Sequence, residues 1–216
     1  MEIIKNSIME AWKATLKALL EAQEMEEQGG KKTREIMNLV ITVRNAEEIT
    51  RPIEVHKSIK KWSYPELDEI EEVFFREESS PIHNYTYGAR MFNFENKMNQ
   101  LKDYVIPLLR KDPKSRRAII TLFDPIQDSF IGKEATPGII SIHFRIIEGK
   151  LWISALIRSN EMFTGWPANM YQISLLQKRT CEELGAEPGP MTTISHSAHL
   201  REEHYEEARE VLKKIS

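Results

Sequence analysis

The chain has 216 residues, 41% hydrophobic and 29% charged, which is the make-up of a water-soluble globular domain able to bury its own core. A net charge of −3 argues against a general binder of nucleic acid or of anionic membrane surfaces. The one cysteine, Cys181, excludes an intrachain disulfide and a cysteine-based zinc site.

The N-terminus, Met-Glu-Ile-Ile-Lys-Asn, lacks the basic-then-apolar layout of a signal peptide. No apolar run approaches the roughly 20 residues that span a bilayer. These features point to a cytoplasmic protein. With no linker, repeat or low-complexity tract, they also point to a single domain over residues 1–216.

Ser7 and Glu10 form a capping box, and Ile8, Ala11, Trp12, Leu16, Leu19 and Leu20 recur at helical spacing, predicting a helix from Ser7 to about Met25. Gly29 and Gly30 end it. The β-branched run Met37 to Val43 predicts a buried strand. Ser63, Pro65 and Glu66 predict a second capped helix reaching Phe75, followed by a turn at Glu78 to Pro81. A helix is expected over about Asn96 to Leu109, kinked or reset at Pro107, and a strand over Ala118 to Phe123.

Ile140, Ile142, Phe144 and Ile146 alternate with Ser141, His143 and Arg145, the signature of a two-faced strand. Glu148-Gly149 turns this into a second alternating strand, Leu151 to Arg158. Asn169 to Leu184 reads as a helix stopped by Gly185, Met191 to Ser195 as a short strand, and the charged tail from Glu202 as a final helix. Helices and strands mixed in this way, with a central hairpin, favour one α/β or α+β domain.

Four segments carry a resemblance. They are Tyr87-Gly88-Ala89-Arg90; Asp112-Pro113-Lys114-Ser115-Arg116-Arg117; Arg158-Ser159 continuing through Gly165, Pro167 and Asn169; and Ser197-Ala198-His199-Leu200. In this order and spacing the chain from about Tyr85 onward resembles the thymidylate synthase family, and its ending is similar to that of the short archaeal members. The resemblance implies a mixed sheet packed by helices, with the back of the sheet forming a homodimer.

A nucleotide phosphate needs charge-assisted donors, for which forked guanidinium groups are well shaped. By resemblance, Arg158 and Ser159 bind it within the chain while Arg116 and Arg117 reach into the partner's site. From the residues alone, Arg116 and Arg117 could equally be a solvated pair before a strand. The Asn169 amide offers a donor and an acceptor to a pyrimidine edge, as its family counterpart does, or caps a helix. By resemblance, His199 lies close to the nucleotide and Tyr87 lines the site. His196, His199 and His204 lack the carboxylate pattern of a metal site, and no metal is expected.

The family's nucleophile is a cysteine that adds to C6 of the pyrimidine, which makes C5 nucleophilic toward a one-carbon unit. At the corresponding place this chain has Gly138, in Thr136-Pro137-Gly138-Ile139. Cys181 lies twelve residues beyond Asn169 on the same expected helix, about 18 Å along its axis. Three further positions depart from the pattern. Arg201 stands where a tyrosine contacts the sugar, Glu161 where an aspartate helps hold the folate, and Ile157 where a glutamine is usual. The family's catalytic glutamate would lie before Tyr87, with Glu66, Glu69, Glu71 and Glu72 as candidates.

The resemblance therefore implies a pyrimidine nucleoside monophosphate as ligand. A reduced folate or methanopterin-type carrier would be the donor of one carbon, if transfer proceeds by a route without cysteine. A nucleotide-binding homologue without transferase activity, or another reaction on the same scaffold, fits Gly138 as well.

Overall fold

The computed structural model describes residues 1–26, 30–59, 63–78, 85–132 and 135–214, the last without the Lys214 side chain. The predicted turn at Glu78 to Pro81 falls outside these residues beyond Glu78, as does Gly29.

A seven-stranded mixed sheet forms the centre, in the order β1 (Glu2–Lys5), β3 (Lys32–Val43), β7 (Glu187–Arg201), β6 (Lys150–Glu161), β5 (Ile139–Ile147), β4 (Ile119–Thr121), with β2 (Glu24–Glu26) paired to the start of β3. The β1–β3 and β6–β7 pairs are parallel and the others antiparallel. The expected hairpin of β5 and β6 is present, tied from Ile139↔Ile157 to Ile147↔Lys150. This is the α/β architecture anticipated from the sequence.

One face of the sheet is dry. Leu39, Ile41, Ile142, Phe144, Ile153 and Ala155 lie there under the helices α1 (Ile8–Glu21) and α7 (Gly165–Leu184). α8 (Tyr205–Lys214) packs on α1. The Ser7–Glu10 capping box forms as predicted, with the Glu10 amide donating to Ser7 Oγ at 3.3 Å and the Ser7 amide to Glu10 Oε2 at 3.1 Å. The buried Trp12 donates its indole N–H to Met162 O at 2.8 Å, fixing α1 to the end of β6. The other face carries Val40, Thr42, Trp152, Leu156 and Ile194, which are half-buried or exposed.

Several predicted bounds shift. α1 stops at Glu21, and residues 24–26 join the sheet instead. The helix expected from Ser63 is α3 (Leu67–Phe75), whose capping box is Glu66 with Glu69, because Pro65 holds the chain extended before it. α2 (Arg51–Ser58) and the short α4 (Tyr87–Phe92) were not anticipated. The helix over Asn96 to Leu109 begins instead as a π-turn, Gln100–Val105, and continues as α5 (Ile106–Lys111) with Pro107 in its first turn. A short α6 (Pro125–Asp128) follows β4. α7 begins four residues before Asn169 and ends, as predicted, at Gly185 in the left-handed conformation, φ +64. β7 extends well beyond the expected Met191 to Ser195.

Three adjacent strands change their inward parity at one level. Buried residues alternate up to Ile157 and then resume at Asn160, up to Ser195 and then at Ala198, and from Leu39 the pattern breaks across Met37 and Asn38. Asn38 has φ +53, and its side-chain oxygen lies 3.3 Å from His196 Nδ1. An aligned kink of this kind re-aims side chains locally. Here it turns Arg158 and Ser159 both outward.

Candidate active site

The kink, the start of β5 and the start of α4 meet around Gly138. The Gly138 and Ile139 amides both donate to the Tyr87 hydroxyl oxygen, each at 3.1 Å. The Arg158 amide donates to Gly138 O at 2.8 Å, and the Arg158 guanidinium donates from Nη2 to Thr136 Oγ1 at 2.9 Å. Gly138, Tyr87, Arg158 and Ser159, far apart in sequence, are thus contiguous. Burial raises the Tyr87 pKa, against the opposing pull of the two amides and of the Arg158 charge. The phenol is held protonated.

Arg90, about one turn along α4 from Tyr87, sets the frame behind it. Its guanidinium is buried between Asp124, at 3.3 Å, and Asp128, at 3.1 Å. These carboxylates also cap and close α6, the segment leading toward Thr136.

Asn169 lies five residues into α7 and is not its cap, which corrects the helix-cap reading: Thr164 holds the N-cap position. Asn169 Nδ2 donates to Asn160 Oδ1 at 3.2 Å, and the buried Asn160 in turn donates to Ser195 Oγ at 2.9 Å. Glu161 supplies the missing cap. Its oxygens accept the amides of Phe163 at 3.0 Å, Thr164 at 2.6 Å and Gly165 at 3.2 Å, together with the Thr164 hydroxyl. With both oxygens engaged, Glu161 positions α7 and is not free to grip a second ligand.

His199 sits directly across the β6–β7 ladder from Glu161, and its carbonyl accepts the Met162 amide at 2.9 Å. Arg201 lies at the far end of β7 opposite Thr33. It is 3.7 Å from Glu203, and it lines a cavity of about 490 Å³ with Lys31, Lys32 and Glu202.

Arg116 and Arg117 are exposed on the approach to β4. Arg116 O lies 3.2 Å from His143 Nε2, and Arg117 O accepts the Tyr104 hydroxyl at 2.8 Å. His143 lies on β5 five residues beyond Gly138, about 16 Å at strand rise. The pair is therefore not gathered with Arg158 of its own chain. The four candidate glutamates are also spent elsewhere. Glu66 and Glu69 make the α3 cap, Glu71 pairs with Arg179 at 2.7 Å, and Glu72 pairs with Arg76. Cys181 is buried on α7, and burial pushes its thiol up to about 11.

A second cavity, about 410 Å³, opens beside the first turn of α7 between Tyr64, Pro65, Ile70, Thr164 and Ala168. The Tyr64 hydroxyl donates to Thr164 O at 2.6 Å. His56 also lines it, 2% exposed and with neither ring nitrogen hydrogen-bonded. Its ring packs against Tyr64 and Phe163, and burial lowers its pKa to about 4. Sequence reading missed His56, Tyr64, Thr136 and Asn160. Only Asn160 carried a signal, as an amide immediately after Arg158-Ser159. Among the described residues no group of three histidine, cysteine or acidic side chains is placed to hold a metal, and no helix is long and apolar enough to cross a membrane.

Comparison with known proteins gives the family. Residues 23–216 match the family model described as thymidylate synthase. A protein of Methanosarcina barkeri provisionally named a thymidylate synthase is 30% identical over 97% of this chain and 94% of its own length. A Methanothermobacter marburgensis protein, also provisionally so named, is 30% identical over 98% of each. The thymidylate synthase of Bacillus licheniformis is 30% identical over 56% of this chain and 43% of its own.

Proposed function

The chain belongs to the thymidylate synthase family, and from that premise we propose that it binds a pyrimidine nucleoside monophosphate in the cleft formed by Tyr87, Gly138, Arg158, Ser159 and Asn169. The observation that carries this reading is the pairing of an outward guanidinium at Arg158 with an anchored amide at Asn169. The first suits a phosphate and the second a pyrimidine edge. His199 and Arg201, on the neighbouring strand β7, would lie toward the sugar. Arg116 and Arg117, away from their own Arg158, complete the site of a second copy, which makes the working unit a homodimer joined through the helix-free face of the sheet.

The cavity beside α7 suits the ring system of a reduced folate or methanopterin-type carrier. Its walls are largely apolar, and the unpartnered His56 imidazole offers a donor and an acceptor to a heterocycle. Tyr64 and Ile70 would hold such a group and Glu161 would set the α7 turn beneath it. The carrier, when bound, supplies the one-carbon unit. This chain's contribution is to orient the nucleotide and exclude water, with the protonated Tyr87 hydroxyl beside Gly138.

Gly138 supports a second reading, a nucleotide-binding protein without transfer, because neither it nor the buried Cys181 can attack C6. Calorimetric titration with dUMP, dCMP, UMP and CMP, with AMP as control, tests the reading common to both. One pyrimidine monophosphate should bind selectively, and Arg158→Ala should weaken it by about tenfold or more. Equal binding of AMP, or no binding of any pyrimidine, refutes the site. Incubating the bound nucleotide with methylene-carrier then separates transfer from binding alone.

A further inference from the structure

A Cβ built on Gly138 would meet the Tyr87 hydroxyl oxygen at 3.4 Å and Ser159 O at 3.6 Å, with nothing else within 4 Å. Gly138 is not among the glycines with positive φ, so its backbone is one that any residue adopts. Space that accepts an added heavy atom at ordinary contact distance therefore lies beside Tyr87. The Tyr87 oxygen already accepts two amide hydrogens, which leaves its own hydrogen as the remaining function. That donor and the neighbouring Arg158 charge suit an anionic atom, and 3.4 Å is an ordinary O–H···S separation.

Among the described residues no side-chain nucleophile contacts that space, whose nearest atoms are the Tyr87 hydroxyl and Ser159 O. Cys181 is the chain's one cysteine, buried, with the thiol pushed up to about 11. Water would need a base, and the Tyr87 phenol, held protonated by burial, is a donor. A free alkyl thiol, with a pKa of roughly 8.5, is in contrast already a few per cent thiolate at neutral pH.

Resting on the pyrimidine-site reading above, we propose that the gap at Gly138 admits a small thiol from solution, which acts in trans as the nucleophile at C6. The thiolate sulfur forms a bond to C6, and the C5=C6 electron pair moves onto C5 and, by conjugation, onto O4 of uracil or N3 of cytosine. C5 then takes a proton from solvent. In reverse, C5 loses a proton, the C6–S bond breaks and its electron pair returns to sulfur. The net result is exchange of the C5 hydrogen with solvent, with thiol and nucleotide recovered and no oxidant or reductant consumed.

The test is proton NMR of the H5 signal of the nucleotide that calorimetry selects, in D2O, with the full-length protein and 2-mercaptoethanol or hydrosulfide. Loss of H5 should accelerate saturably with thiol, by about tenfold or more over protein alone and thiol alone, a small part of what proximity can supply. Gly138→Ala puts a methyl where the sulfur would sit and should return exchange to background. Gly138→Cys should make exchange independent of added thiol. The proposal is overturned if the wild-type protein binds the nucleotide yet thiol leaves exchange at background, or if Gly138→Ala exchanges as fast as wild type. If calorimetry finds no pyrimidine bound, the site reading itself falls and this proposal with it, so the two failures are distinct.

Discussion

Asn160 holds Asn169 in place: the Asn169 amide donates to Asn160 Oδ1 at 3.2 Å, while Asn160 donates onward to Ser195 Oγ at 2.9 Å. Asn160 is 1% exposed, so a nucleotide cannot reach it, yet it decides which way the Asn169 amide faces. The geometry leaves Asn169 one N–H and its oxygen for a base edge.

Asn160→Ala should therefore weaken pyrimidine monophosphate binding by about tenfold, roughly one charge-neutral hydrogen bond and some lost order. Asn169→Ala should instead erase the preference for one pyrimidine over another while Arg158 still holds the phosphate. Calorimetry with each monophosphate separates the two effects. Unchanged affinity in Asn160→Ala would show that Asn169 needs no orienting partner.

Glu161 is the cap of α7 in all but position, since Thr164 makes no side-chain cap bond and Glu161 accepts the amides of Phe163, Thr164 and Gly165, which lead into the first turn. Removing it in Glu161→Ala should cost about 1 to 2 kcal/mol in urea unfolding, the usual worth of an N-cap. Glu161→Gln, which keeps one acceptor, should lose less. A Glu161→Ala protein as stable as wild type would assign the carboxylate to ligand binding.

The sheet and its hairpin could be read from residues 139 to 161 because alternation there has period two and the turn Glu148-Gly149 is explicit. Of the motif residues, Tyr87, Gly138, Arg158 and Ser159, distant in sequence, are brought together by the fold, and Asn169 is tied to Asn160, the residue after Ser159. The starts of α3 and α7 were misplaced, at Ser63 and at Asn169, because capping depends on tertiary packing that the sequence does not display. His56 left no trace in the sequence. A histidine on an amphipathic helix reads as surface, and only the closure of Tyr64 and Phe163 over it makes it buried.

That burial has a consequence for pH. The His56 pKa falls to about 4 on folding, from about 6.5 in the open chain, chiefly through desolvation. The nearby His204 charge reinforces the fall, and Glu161 and Glu207 oppose it. Between these pH values the unfolded chain binds the extra proton, so the contribution of His56 is fully present above about pH 6.5. It is lost progressively as the pH drops toward 4, by on the order of 2 to 3 kcal/mol. His56→Leu should flatten this limb of the urea-unfolding stability against pH. If the variant keeps the wild-type slope, another group governs the acid limb.

The homodimer is open to a direct test at Trp152. On the sheet face that α1 and α7 leave bare, Trp152 is 38% exposed and Met37 60%, with Val40, Leu156 and Ile194 half-buried between them. An aromatic and aliphatic surface of this kind, on the inner strands of a sheet, gains most by being covered, and a tryptophan contributes a large share of such an interface. Trp152→Glu places an unpaired charge within it, where desolvation cost should weaken association by about a hundredfold or more. Sedimentation equilibrium should then show a dimer for wild type and a monomer–dimer mixture for the variant. On the shared-site reading, in which Arg116 and Arg117 serve the site of a second copy, the variant should also lose nucleotide affinity. A monomeric wild type would remove the shared-site reading, and a monomeric Trp152→Glu that still binds nucleotide fully would show that Arg158 needs no help from a second copy.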